Sequence, residues 1–141
     1  MGHWKFIATW MTDKECYIRR LFGNERKQID KTGDELDVKE GDTLYLHRWG
    51  NEDEPGQLDG PFIAACDAGK DLEPDAWRHR GKYDWQVRID WEDTVYSMNI
   101  DKINEGDAVD IKHYPQALTE VQGMFLSGLL KRKGTPIINE K

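Results

Sequence analysis

Lys39-Glu40-Gly41-Asp42-Thr43-Leu44-Tyr45-Leu46-His47-Arg48-Trp49 is the stretch on which the reading of the fold turns. A Gly-Asp turn supplies the bend, and Thr43-Leu44-Tyr45-Leu46 and Trp49 after it are β-branched, aliphatic or aromatic, the composition of a pleated strand. Further strands follow on both sides. Trp4-Lys5-Phe6-Ile7-Ala8-Thr9-Trp10 alternates and is aromatic. Pro61-Phe62-Ile63-Ala64-Ala65-Cys66 is a short apolar run behind a glycine- and acid-rich loop at 51–60. Residues 83–91 alternate, and Glu92-Asp93 turns them into 94–100, the most direct hairpin in the chain.

Helices are fewer. Thr12 and Glu15 have the spacing of a capping box, and Tyr17 with Leu21 and Ile18 with Phe22 extend an apolar face to a C-cap at Gly23. A second capping box, Thr119 with Gln122, opens a helix over 118–130 that Gly134 and Pro136 end, with Ile137-Ile138 returning as a strand. Residues 24–39 are polar, with a short strand expected near Gln28-Ile29, and 101–114 read as irregular. No repeat or low-complexity segment occurs. The order predicts a single domain over 1–141 of the α+β class: a small β-barrel of five to six strands with two to three helices packed outside. Strands and helices do not alternate regularly, which disfavours a doubly wound parallel sheet.

Length and composition agree. At 141 residues the chain suits one domain, and 38% hydrophobic with six Trp is not the composition of a disordered segment. No apolar run is long enough to span a membrane and no signal peptide opens the chain, so a cytoplasmic, non-membrane protein is expected. Cys16 and Cys66 stand far apart without metal spacing, so neither a disulfide framework nor a metal site is expected. The net charge of -7 argues against a non-specific nucleic-acid coat. Charge is nevertheless segregated: acid gathers at 34–42 and 51–60, base at 19–31, 78–88 and 131–133. That pattern permits one basic face on an acidic protein.

Catalytic signatures are missing. There is no phosphate-binding loop, dinucleotide fingerprint or nucleophile elbow, and His3, His47, His79 and His113 lie in four separate segments. Cys66 ends an apolar run, where a thiol is ordinarily inert, and Asp90 with Glu92 fits a turn better than acid–base work. No enzyme and no cofactor is expected. The anomaly is the tryptophan content. Trp4, Trp85 and Trp91 fit a core of alternating strands, whereas Trp49 precedes a Gly-rich loop and Trp77 stands in Asp75-Ala76-Trp77-Arg78-His79-Arg80. A flat aromatic beside cations is what base stacking with phosphate neutralisation requires.

The order of Lys5-Phe6-Ile7, a capped helix, 38–46, Gly60-Pro61-Phe62-Ile63-Ala64-Ala65-Cys66 and Gly81-Lys82-Tyr83-Asp84-Trp85-Gln86-Val87-Arg88 resembles the PUA-like superfamily, with EVE and YTH domains closest. The stretch from Asp71 through Arg88 is also similar to the plant-type DCD domain of the same fold. Such resemblance implies a pseudo-barrel that reads DNA or RNA by flipping one modified base, methylated adenine or modified cytosine, into an aromatic pocket. Trp77 occupies the region of one YTH cage aromatic, but 24–31 lacks the aromatic that YTH domains place after the first helix. The expected base-binding set is therefore Trp77, Trp49, Trp10, Thr9, Asn51 and Asp84. Arg78, Arg80 and Lys82 are expected on phosphate, with Lys131, Arg132 and Lys133 as a secondary phosphate site. A downstream effector would be a partner chain. The rival expectations are a DCD-like protein-interaction module and a small enzyme in the same barrel.

Overall fold

The computed structural model describes residues 2–9, 12–24, 37–50, 56–77, 83–107 (side chains to 103), 111 and 115–139. Among them the elements run β1 (His3–Thr9), α1 (Asp13–Ile18), β2 (Leu21–Asn24), β3 (Thr43–Trp49), β4 (Gln57–Ala64), β5 (Gly69–Lys70), β6 (Trp85–Asp90), β7 (Val95–Asn99), α2 (Ile100–Asp107), β8 (Ala117–Leu118), α3 (Glu120–Lys133) and β9 (Thr135–Ile138). One mixed sheet in the order β2-β6-β4-β3-β1-β8 curls into a half-barrel, with β5 on β6 and β7 bridging β4 to β9. The α+β half-barrel, with three helices among the described residues, matches the expected class; short strands raise the strand number above the expected five to six.

β3 occupies the residues its sequence dictates. It pairs in parallel with β1 from His3↔Thr43 to Thr9↔Trp49 and antiparallel with β4. Its side chains alternate between two cores. Leu44 and Leu46 join Phe6, Phe22, Phe62, Val87, Ile89 and Trp77 on one face. Tyr45 joins Leu58, Met98, Ile100, Ile103, Leu126, Leu129 and Leu130 on the other, under α2 and α3. Phe22 packs edge-on to Phe62 at 5.1 Å and tilted against Phe6 at 5.7 Å, so the first core is cemented across the curl of the sheet.

Four expectations are corrected. α1 ends at Ile18 and not at Phe22: Arg20 turns left-handed (φ 50), and Leu21–Asn24 becomes a fully buried strand on β6. A short apolar run satisfies either period, and pairing with β6 decides. Ile18 accordingly stands 80% exposed. Second, 83–100 is no hairpin. Asp90 and Ile89 pair with Ile63 and Ala64, and Tyr96–Asn99 then pair with Gly60–Gln57, so β6 and β7 run in line along β4 around the turn at 91–94. Third, Asp101 donates its amide to Asn99 Oδ1 at 2.8 Å and opens α2 in the segment expected to be irregular. Fourth, β4 begins at Gln57, inside the expected loop. The expected strand near Gln28-Ile29 lies outside the described residues. The Thr119–Gln122 capping box is formed in full, and Ile137-Ile138 returns as β9.

The Gly-Asp turn entering β3 is also an electrostatic clasp. The buried Asp42 carboxylate accepts the amides of Gly2 and Lys39 and the Trp4 indole N–H, each at 2.9 Å. Burial alone would raise its pKa, but these three donors hold it below the usual carboxylate range. A depressed folded value means stability that is present above the unfolded value and lost as pH falls through the folded one. Asp42→Asn is expected to cost about 1–3 kcal/mol at pH 7 and to flatten the acid limb of the stability curve below about pH 4. Thermal melts of both proteins from neutral pH downward check this; parallel curves would remove Asp42 from the acid response.

Candidate functional site

β2, at one end of the curled sheet, approaches β1 near the other end without pairing among the described residues, and the space between them is closed by Trp77. Its ring reaches Gly23 so closely that a Cβ there would lie 2.6 Å from Cζ3 and 2.8 Å from Cη2. Tyr83 stands edge-on at 5.5 Å. Beside the two rings remains a cavity of about 10 Å³, lined also by Ile7, Ala8, Thr12 and Cys16, which is room for one water.

Trp77 is held in an unusual state. Its φ is +54, left-handed for a bulky residue, a strain of about 1–3 kcal/mol that surrounding structure must over-determine. Its amide donates to Glu15 Oε2 at 2.7 Å and its indole Nε1–H to the Thr12 carbonyl at 3.0 Å. Those bonds explain why the first capping box is not made. Thr12 turns its hydroxyl to the Thr9 amide at 2.9 Å, and the Glu15 carboxylate serves Trp77 and Arg19 instead of the helix start.

The turn that carries Trp77 is tied from below. Buried Gln86 accepts the Glu73 amide at 2.7 Å and donates to the carbonyls of Glu73 and Tyr83 at 3.2 and 3.0 Å. Glu73 also bridges Arg19 at 2.8 Å and Arg88 at 2.9 Å. Although burial alone would raise its pKa, the two guanidinium groups hold the carboxyl below the usual range. Arg19 and Arg88, one from each of two basic segments, thus meet at Glu73 beside the β2–β6 pair, with Arg20 stacked 4.4 Å over Trp91. Gln86, Glu15 and Gly23 were not legible as site residues. The one available signal was a glycine inside the buried run Leu21-Phe22-Gly23-Asn24, which marks a close approach.

The expected site residues divide. Trp77 is the most buried of the described tryptophans, at 2% exposure. Thr9 lies at the end of β1 beside Thr12, opposite Trp49 in register. Trp49 is 51% exposed at the end of β3, tilted 6.3 Å from His47. Asp84 adjoins Tyr83, and its Oδ1 is buried without a hydrogen-bond partner among the described residues. Lys131, Arg132 and Lys133 end α3, across the sheet from Trp77, so they do not join this cleft. Trp10, Asn51, Arg78, Arg80 and Lys82 lie outside the described residues. By chain order, though, Arg78, Arg80 and Lys82 fall within the five residues linking Trp77 to Tyr83, the two rings at the cavity. Burial pushes the Cys16 thiol strongly up, with Asp13 adding to the effect, so it is no thiolate nucleophile. Cys66 Sγ accepts the Arg88 amide at 3.4 Å.

The chain belongs to the family of the Development and cell death domain, whose model matches residues 3–127. The PUA-like, YTH-like fold is seen in three dimensions as well. The YTH domain of the Zygosaccharomyces rouxii MRB1 protein, solved in complex with N6-methyladenosine RNA, superposes with a TM-score of 0.56 at 10% identity, over 99% of this chain and 89% of that one. No curated protein matches by sequence.

Proposed function

We propose that this domain is a non-enzymatic reader of nucleic acid that takes one modified base, a methylated adenine or a modified cytosine, into the cleft between β1 and β2. The observation that carries the reading is the Trp77–Tyr83 pair flanking a cavity where the two strands part. The YTH neighbour, bound to N6-methyladenosine RNA, has the same fold. A water-sized cavity does not admit a purine, so entry requires the two rings to separate. The strained Trp77 backbone favours such a movement, because leaving the left-handed state returns part of its cost. Extruding a base costs a few kcal/mol, and aromatic stacking returns about 1–3 kcal/mol per base. Phosphate contacts from Arg78, Arg80 and Lys82 would supply the remainder. Asp84 Oδ1, buried and unsatisfied among the described residues next to Tyr83, would be an acceptor for a base N–H once the rings separate.

The test is a low-salt titration followed by tryptophan fluorescence, using short DNA and RNA, single- and double-stranded, with and without N6-methyladenine or a 5-modified cytosine. Tighter binding to one modified strand is the expected result. Equal binding to modified and plain strands, or none up to about 100 μM, where non-specific binders respond, would overturn it. The DCD-like protein-interaction module would then take its place.

A further inference from the structure

The outer face of α3 has no partner among the described residues. Gly123, Leu126, Leu129 and Leu130 face inward and are buried, while Val121 is 79% and Met124 64% exposed on the other side. Gly128 lies one heptad from Val121 on that same outer face. The two glycines of the helix differ in cause. At Gly123 a Cβ would strike the His3 ring at 2.2 Å, so the chain's own packing demands glycine there. At Gly128 a Cβ would meet only the flexible end of Arg132, at 3.4 Å. Glycine in a helix interior costs roughly 1 kcal/mol relative to Ala, and among the described residues nothing requires it at 128. It leaves a notch on an otherwise apolar outer stripe of Val121, Met124 and Gly128.

Charge selects what fits the stripe. Glu120 opens the helix and Lys131, Arg132 and Lys133 close it. A second α3 laid antiparallel about a two-fold axis brings Met124 over Gly128, Val121 against the stem of Lys131, and Glu120 to Arg132, each pairing occurring twice. Helix dipoles oppose favourably in that arrangement, whereas a parallel one would stack the basic ends. We infer that the outer face of α3 is the seam of a symmetric antiparallel dimer of this chain. The seam lies across the sheet from Trp77, so a dimer carries two clefts facing away from it. One helix pair covers less than a standard interface, so a weak association is expected, with a dissociation constant on the order of 100 μM.

Sedimentation equilibrium of the intact chain, from about 10 μM to about 1 mM, reads the association directly. The mass should rise from the 16.4 kDa of one chain toward twice that value. Met124→Glu should weaken association at least tenfold. Gly128→Leu separates seam from fold, since it should raise the melting temperature through helix propensity while weakening association at least tenfold. Glu120→Arg and Arg132→Glu should each weaken it, and the double variant should restore it. A constant monomer mass, or a dimer indifferent to Gly128→Leu and to the charge exchange, overturns the inference.

Discussion

Asp59→Ala is expected to destabilise the domain by about 3–5 kcal/mol, a large share of the 5–15 kcal/mol typical of a domain. Asp59 is fully buried on β4 and neutralised by Arg48 of β3, whose Nε lies 2.6 Å from Oδ2 and whose Nη2 donates to Oδ1 at 3.1 Å. The Tyr17 hydroxyl of α1 donates to the same carboxylate, and burial together with the Asp59 charge pushes that phenol far up. Arg48 also reaches Ser97 of β7 at 3.3 Å and Asp13 of α1 at 3.6 Å. Removing the carboxylate strands a half-buried guanidinium and cuts the Tyr17 tie from α1 to β4. Tyr17→Phe deletes a single donor and should cost only about 1–2 kcal/mol. Urea unfolding of the two variants checks the order. If Asp59→Ala loses less than Tyr17→Phe, the carboxylate is not what anchors α1.

That anchor matters for the cleft because α1 supplies both atoms that hold Trp77, the Thr12 carbonyl and the Glu15 carboxylate. Neither role could be read from the sequence. Thr12 and Glu15 have the spacing of a capping box, and the same spacing at Thr119 and Gln122 does form one. The difference lies in what else approaches: among the described residues nothing competes for the start of α3, whereas the turn ending at Trp77 returns from 62 residues away and claims the Glu15 carboxylate. Where local pattern and tertiary pairing agree, as in β3, the bounds were legible to the residue. Where a short apolar run fitted two periods, as at 21–24, pairing with β6 overrode the local reading. Trp77 stood out through its charged flanks, but its burial depends on Gly23, Gln86 and α1. Three distant segments cannot be seen to converge in one dimension.

Trp77→Ala should therefore do two things at once. As a buried indole packed on Gly23 and Tyr83, Trp77 should cost about 3–5 kcal/mol when truncated. As the stacking wall of the proposed cleft, its loss should abolish preference for a modified base and leave weak, salt-sensitive binding. Two further variants separate these effects. Trp77→Gly removes as much ring but relieves the left-handed backbone, so it should be no less stable than Trp77→Ala despite the missing methyl group. Trp77→Phe keeps an aromatic plane and forfeits the bond to the Thr12 carbonyl. It should recover most of the packing and part of the base preference. Chemical denaturation gives the stability order, and binding to paired modified and plain strands, measured well below each melting point, gives the preference. Should Trp77→Ala fold and still discriminate the modified strand, the indole is a core residue alone, and any base site lies elsewhere on the half-barrel.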